Sequence, residues 1–252
     1  MHSASLSSRS VGNKVFDPGR ALGGQVYMHL RKAIVQMHLS PGQAVSEQDI
    51  AVQLGVSRQP VREAFIKLQE MRLVRIVPQR GTYVAGVSLS EVMNARFIRQ
   101  AVETAIVRAA CRVAPDQTAD ALMALIELQK KAIRDEDQPA FLDHDEAFHR
   151  ALVDAVDCST AWSVLEDAKV HMDRVRYFRT PEMTPLGILV EQHSSIVTAI
   201  RARDPDAAVA RMTEHLSEIL VVLPRLAKAY PNLFDDLHVP RHMTGQAPDK
   251  MA

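Results

Sequence analysis

Residues 46–84 constrain the fold more than any other part of this chain, because short patterns of defined type follow one another there. Ser46 can cap a first helix, whose apolar positions recur at helical spacing, and Gly55 can end it. Ser57 can cap a second helix after a tight turn. Two short helices joined in this way are typical of a helix-turn-helix, so the sequence predicts one.

The residues after the second helix predict a β-hairpin. β-Branched residues are frequent at 73–77 and 82–85, and residues 78–81 form a turn signal between them. A helix-turn-helix followed by such a ribbon is a winged helix, here with Arg80 at the tip.

The charge of the chain is divided between its two parts. Residues 1–87 are basic, with 11 Lys and Arg against 5 Asp and Glu, whereas the remainder has 19 Lys and Arg against 25 Asp and Glu. This division fits a DNA reader joined to a module of different function.

The motifs SRQPVREAF and LVRIVPQRGTYV resemble the DNA-binding domain of the GntR family of bacterial transcription regulators, over about residues 20–86. The resemblance implies that the second helix enters the major groove of double-stranded DNA. Because one winged helix reads few base pairs, we expect a homodimer on a palindromic operator. One departure is Gln48, where several relatives have a DNA-contacting Arg. The candidate DNA-binding residues are Arg58, Gln59, Arg62, Arg80, Ser46 and Ser57.

The rest of the chain predicts helices alone, so the expected fold is mostly α. A winged helix would precede an all-α bundle of six or seven helices. The predicted helices cover 90–113, 116–134, 138–155, 160–179, 185–202 and 206–228, the first of them capped by Ser90. The predicted divisions are a mobile arm (1–20), the winged helix (21–87), a helical domain for metal and effector binding and for dimerisation (88–230), and a loosely ordered tail (231–252).

A carboxylate and three imidazoles in the helical part predict a metal site. Asp145 and His149 are four residues apart and share a helix face. His193 and His215 are each 11 residues from Asp204, so an antiparallel hairpin centred there would bring them to the same height. Such a ligand set suits a divalent metal, with Zn²⁺ the first choice and Ni²⁺, Mn²⁺ or Fe²⁺ as alternatives.

A second resemblance covers the helical part. The motifs DEAFHRALVDAV and EQHSSIVTAIRARDPDAAVARMTEHL are similar to the FCD domain, the ligand-binding domain of the FadR-like branch of the GntR family. The resemblance implies that the metal lies at the floor of a cavity, where it holds a small organic acid effector with the help of arginines. Arg99 and Glu103 match the Arg-x-x-x-Glu pattern of the opening helix. The effector-binding candidates are Arg99, Glu103, Arg96, Arg174 and Tyr177, with Arg176 as a further choice.

The expected function is a ligand-responsive repressor rather than an enzyme, since no nucleophile motif, phosphate loop or catalytic carboxylate pair is found. Two alternatives stay open: a helical metalloenzyme with a DNA- or partner-binding head, and a regulator whose signal is the metal itself.

The two cysteines lack CxxC spacing, which indicates a reducing compartment. Without an apolar run of spanning length or a signal peptide, we expect a soluble, cytoplasmic protein that does not bind membranes.

Overall fold

The computed structural model describes residues 16–178, 185–240 and 243. Most of the predicted arm and much of the predicted tail therefore lie outside the described residues. The chain forms two compact units, one made of Met1–Val87 with Asn232–Asp236 and the other of Ser88–Pro231 with Leu237–Ala252. No helix in the described part of the chain combines the length and apolar character needed to cross a membrane.

The N-terminal unit is a winged helix, which confirms the predicted fold. Its sheet has the antiparallel strand order β1-β3-β2. Strand β1 was not predicted, because two residues are too few to show an alternating pattern. The elements are α1 (Leu22–Val35), β1 (Ala44–Val45), α2 (Glu47–Leu54), α3 (Arg58–Glu70), β2 (Val74–Val77) and β3 (Gly81–Val84).

Local chemistry explains where these helices and strands begin and end. The hydroxyl of Ser46 accepts hydrogen bonds from the backbone amides of Gln48 and Asp49, at 3.2 and 3.4 Å, and so caps α2. Gly55 ends α2 with a φ of 63°, a left-handed conformation that favours glycine. Gly81, with a φ of 108°, opens β3 after the hairpin turn for the same reason. The apolar faces of α1 and α3 pack together around fully buried side chains such as Leu30 and Leu68.

The second unit is all helical, as predicted, and has seven helices among the described residues. They are α4 (Leu89–Val113), α5 (Thr118–Arg134), α6 (Gln138–Asp154), α7 (Ser159–Ala168), α8 (Val170–Phe178), α9 (Leu186–Arg201) and α10 (Pro205–Ala229). The single helix predicted at 160–179 is divided at Lys169. Helix α4 is capped by Ser88, whose hydroxyl accepts from the amide of Glu91 at 3.2 Å, rather than by Ser90.

Packing in this unit joins five of its helices. Helix α10 packs against α4 and α9, and α5 packs against α6 and α9. Asp204 caps α10 by accepting from the amides of Asp206 and Ala207, so α9 and α10 form the hairpin that the sequence predicted. The buried ring of Phe148 stacks on that of His193 with 4.2 Å between ring centroids. Polar residues of α6, α9 and α10 are thereby held inside an apolar core.

Part of the segment predicted to be a loosely ordered tail has regular structure. A 3-10 turn (Pro231–Leu233) leads into β5 (Phe234–Asp236), which pairs with β4 (Val87–Ser88). The amide of Gly86 donates to Asp235 Oδ2 at 2.7 Å. A Cβ atom on Gly86 would lie 2.6 Å from the backbone nitrogen of Asp235, so the contact requires glycine.

Candidate functional site

The structure brings together the four side chains that were predicted to bind a metal. Asp145 and His149 lie one turn apart on α6, His193 is on α9 and His215 is on α10. One ligand atom from each lies within 4.8 Å of the others, and all four side chains are buried. The carboxylate oxygens of Asp145 are 3.7 Å from His193 Nε2 and 3.9 Å from His149 Nε2.

The hydrogen bond at His193 fixes which ring nitrogen carries the proton. Its Nδ1 donates to Gln129 Oε1 at 2.9 Å. The amide nitrogen of Gln129 donates in turn to the carbonyl of His144 at 3.3 Å, which fixes the orientation of that amide. The Nε2 atom of His193 therefore presents a lone pair toward the centre of the cluster.

The other two imidazoles are oriented in the same manner. His215 Nδ1 donates to Gln192 Oε1 at 3.1 Å, and the amide nitrogen of Gln192 donates to Glu218 Oε1 at 2.9 Å. His149 Nδ1 lies 2.5 Å from Glu103 Oε2. In each ring an oxygen acceptor faces Nδ1, so Nε2 is left free to act as a ligand.

The three Nε2 atoms converge at a spacing that suits a divalent metal. His215 Nε2 is 3.2 Å from His193 Nε2 and 3.2 Å from His149 Nε2. Ligand nitrogens about 2.0–2.1 Å from a metal are separated by roughly 2.9–3.4 Å in octahedral or tetrahedral sites. Burial lowers the pKa of His193 to about 3 and that of His215 well below its ordinary value. Both rings are therefore neutral at neutral pH, and a proton shared between their Nε2 atoms does not explain the short distance. The residues present therefore fit a divalent cation.

Basic groups compensate the buried carboxylates near this cluster. Burial alone would raise the pKa of Asp145, but Arg176 and the neighbouring histidines hold it well below its usual range. Arg176 contacts Asp145 Oδ2 and also lies 3.3 Å from Asp173 Oδ1. The same interactions, opposing the effect of burial, raise the pKa of Arg176 above its ordinary value. The cluster thus keeps Asp145 ionised, as a metal ligand must be.

A small cavity of about 50 Å³ adjoins Asp145 and His215. Three guanidinium groups line it together with apolar residues of α8, α9 and α10. Arg96 Nη2 donates to Ser217 Oγ at 2.9 Å, which holds that side chain at the wall. The lining residues are Arg96, Arg99, Asp145, Met172, Val175, Arg176, Leu189, His215, Leu216, Glu218, Ile219 and Val222.

The structure places some of the predicted effector-binding residues at the cavity wall and others away from it. Arg96 and Arg99 line the cavity, as does the further candidate Arg176, whereas the other three do not. Arg174 is fully buried elsewhere. Tyr177 packs against the hydrophobic core. Glu103 faces His149, one of the four residues of the candidate metal site.

The predicted DNA-reading residues of α3 lie on its exposed face. Arg58 Nη2 is 3.2 Å from Glu47 Oε2, and Arg62 Nε is 3.7 Å from Glu47 Oε1. Sequence reasoning missed Glu47, which lies at the first position of α2 and holds both arginines side by side. Gln59 donates to Glu63 Oε1 at 3.1 Å. Such exposed pairs are weak, so the arginines can exchange Glu47 for phosphates or base edges.

Three further residues were predicted to contact DNA. Arg80 is exposed at the hairpin tip, where its carbonyl accepts from the hydroxyl of Tyr83 at 2.9 Å. Ser46 is exposed, but its hydroxyl already caps α2. Ser57 precedes α3 and makes no capping hydrogen bond with its side chain. Its hydroxyl is therefore better placed than that of Ser46 to bind a phosphate.

Comparison with known proteins agrees with both units. Residues 22–84 match the family model described as bacterial regulatory proteins, gntR family, and residues 95–218 match the FCD domain. The chain is 40% identical over 203 residues to the HTH-type transcriptional repressor RspR of Escherichia coli (strain K12), covering 81% of this chain and 89% of RspR. It is 24% identical over 204 residues to the gluconate operon transcriptional repressor of Bacillus subtilis (strain 168), covering 78% and 83% of the two chains.

Solved structures with the same fold include McbR/YncC of E. coli, at a TM-score of 0.69 and 21% identity over 82% of this chain and 98% of that one. A GntR transcriptional regulator from Rhodococcus sp. RHA1 gives a TM-score of 0.62 at 27% identity, covering 79% and 96%. The winged helix, the helical unit and the extent of identity lead to one conclusion. This chain belongs to the GntR family of bacterial regulatory proteins and carries an FCD domain, so it is a DNA-binding transcriptional regulator and not an enzyme.

Proposed function

We propose that this regulator is a repressor that binds a palindromic operator as a homodimer and is released by a small organic acid bound at a metal in the helical unit. The observation that carries the proposal is the arginine-lined cavity beside the cluster of Asp145, His149, His193 and His215. A metal and guanidinium groups on one cavity both favour an anion. The two relatives named above are called repressors, which supports repression of transcription rather than activation. The protein would act in the cytoplasm.

The cavity limits what the effector can be. Its volume of about 50 Å³ suits a small molecule. A metal held by Asp145 and the three histidines would supply a Lewis-acid position for one carboxylate oxygen. Arg96 and Arg99 would pair with the remaining charge, while apolar side chains such as Met172 exclude water. One relative is named for the gluconate operon, and gluconate is a small carboxylate.

We infer that Zn²⁺ is the first choice of metal, with Ni²⁺, Mn²⁺ or Fe²⁺ as alternatives. Three imidazoles and one carboxylate are borderline ligands that all four ions accept. The spacing of the nitrogen atoms agrees with either four or six ligands. Elemental analysis of the protein purified from cells decides among these ions, because it identifies the one that the protein contains.

On the DNA side, Arg58 and Arg62 would enter the major groove with the start of α3. Arginine recognises guanine O6 and N7 by two hydrogen bonds, and Gln59 could read adenine. Arg80 on the wing would reach the adjacent minor groove or the backbone. Glu47 supports this assignment, because it holds the two arginines of α3 in neighbouring positions before DNA is bound.

The exposed face of α4 supports a homodimer. Phe97, with 53% of its surface exposed, is followed at helical spacing by the exposed Ala101 and Ala105, and Val113 is 66% exposed near the end of the helix. An apolar stripe of this length on a 25-residue helix is unusual for a surface in water. A second copy related by a two-fold axis would cover it and would place two reading heads on two half-sites.

The decisive experiment compares the wild type with His193→Ala. Operator DNA is first selected from random duplexes with the wild-type protein. We expect one metal per wild-type chain, and release of the operator by a member of a panel of small carboxylates only when metal is present. His193→Ala should still bind DNA but lose metal and response, whereas His144→Ala, on the same helix as Asp145, should behave as wild type.

Two results would redirect the proposal. Wild-type protein without metal after growth in medium containing all four ions contradicts the metal assignment. Operator release by metal addition alone, reversed by a chelator without any carboxylate, makes the metal itself the signal. Coupling of typically about 1–3 kcal/mol would change operator affinity roughly 5–150-fold, which a gel-shift titration measures readily.

A further inference from the structure

Glu103 occupies a position between the cavity wall and the metal cluster. Its side chain is 3% exposed. Oε2 lies 2.5 Å from His149 Nδ1, and Oε1 accepts a hydrogen bond from Arg99 Nε at 2.5 Å. Both oxygens are therefore engaged, one by a metal ligand and the other by an arginine of the cavity wall.

The three histidines differ in what faces their Nδ1 atoms. His193 and His215 donate to neutral amides, those of Gln129 and Gln192, whereas His149 faces a carboxylate. The guanidinium of Arg99 pairs with the other oxygen of this carboxylate at 2.5 Å, so the group behind His149 is an ion-paired carboxylate and not a neutral amide.

A carboxylate behind an imidazole has two effects on a metal site. It fixes the tautomer and the rotation of the ring, and it raises the basicity of the nitrogen that binds the metal. An amide oxygen provides the first effect and little of the second. The ring of His149 should accordingly be the strongest nitrogen donor of the three.

We propose that Glu103 is a positioning residue that holds His149 with Nε2 toward the cluster and strengthens it as a metal ligand, while Arg99 fixes Glu103 from the cavity side. This inference rests on the proposed metal site. It removes Glu103 from the set of effector contacts, because an anion with both oxygens engaged offers an organic acid only repulsion. It also gives Arg99 two roles, since the same side chain lines the cavity.

The test measures the metal affinity of full-length variants after removal of metal with a chelator. Zn²⁺ affinity is obtained by competition with a chromophoric chelator, and the ligand field from the visible spectrum of the Co²⁺ form. Glu103→Ala should weaken Zn²⁺ binding about 10–100-fold and change the Co²⁺ spectrum. Glu103→Gln should keep the spectrum and lose less affinity, because glutamine performs this role at the other two rings.

The control is Glu146→Gln. Glu146 lies next to Asp145 on α6 and pairs with Lys169 at 3.0 Å, and no hydrogen bond or ion pair within the described residues joins it to an imidazole. It should bind Zn²⁺ as the wild type does. A folded Glu103→Ala protein with wild-type affinity and spectrum overturns the inference. Should that variant not fold, Glu103→Gln decides: affinity and spectrum both equal to the wild type refute the ligand-strengthening role. If the wild type itself binds neither Zn²⁺ nor Co²⁺, the failure belongs to the proposed metal site.

Discussion

Metal-free protein should lose stability steeply as the pH falls from 7.5 to 5, because two buried histidines are neutral in the folded state. The pKa of His193 is lowered to about 3 by burial, and that of His215 is also well below the ordinary value of 6.5. Below pH 6.5 the unfolded chain takes up protons at these rings and the folded chain does not. Stability that is present above pH 6.5 is therefore lost on acidification.

The magnitude follows from the distance between pH 5 and the ordinary pKa. For His193 the difference of 1.5 pH units corresponds to about 2 kcal/mol of lost unfolding free energy. This is a substantial part of the ~5–15 kcal/mol that stabilises an ordinary domain. Burial lowers the pKa of His215 as well, so this ring adds to the loss in the same direction.

Urea unfolding of chelator-treated protein at both pH values measures this effect. Trp162 is the sole tryptophan and is buried in the helical unit, so its fluorescence reports on that unit. The variant His193→Gln lacks one of the titrating groups and retains a polar side chain. Its loss of unfolding free energy between pH 7.5 and 5 should be smaller than that of the wild type by about 2 kcal/mol. The same pH dependence in both proteins would refute the reasoning.

Three further predictions concern other parts of the chain. Arg62→Ala should weaken operator binding and reduce its salt slope by about one while the protein stays folded, and undiminished affinity in a gel shift would argue against the groove assignment. Ala101→Glu should shift the protein from dimer to monomer in light scattering, whereas the control Ala124→Glu, on the exposed face of α5, should not. If the Ala101→Glu protein is still a dimer, the α4 face is not the dimer interface. Gly86→Ala should destabilise the DNA-binding unit by about 1–3 kcal/mol through its clash with Asp235, and an unchanged melting temperature would count against that contact.

The winged helix could be predicted from sequence because its signals are local. Ser46 as a cap, Gly55 at a left-handed position and the hairpin turn each act within a few residues of where they stand. The four residues of the candidate metal site could be brought together for a related reason, since spacing along a helix and symmetry about one turn are visible in a sequence. The two-residue strand β1 is too short to show an alternating pattern, and the division at Lys169 falls in a stretch without glycine or proline, so neither is visible in the sequence.

The surroundings of the ligands depend on tertiary structure and could not be predicted. Gln129 is 64 residues from His193, and only the folded chain brings its amide to the ring. Arg174 and Arg176 differ by two positions, or about 200° around a helix. Which of them lines the cavity depends on the phase of α8, and the unpredicted start of that helix left the phase undetermined. The contact between Glu103 and His149, 46 positions apart, is likewise visible only in the folded chain.

The pairing of β5 with β4 affects how this regulator can be taken apart. A recombinant head truncated at residue 87 would lack Asn232–Asp236 and, with it, the hydrogen bond that Gly86 donates to Asp235. Chimeras that graft this head onto a foreign sensor would carry the same defect, because Asp235 lies 149 positions after Gly86 in the chain. A faithful isolated reader therefore needs residues 232–236 restored through a designed linker.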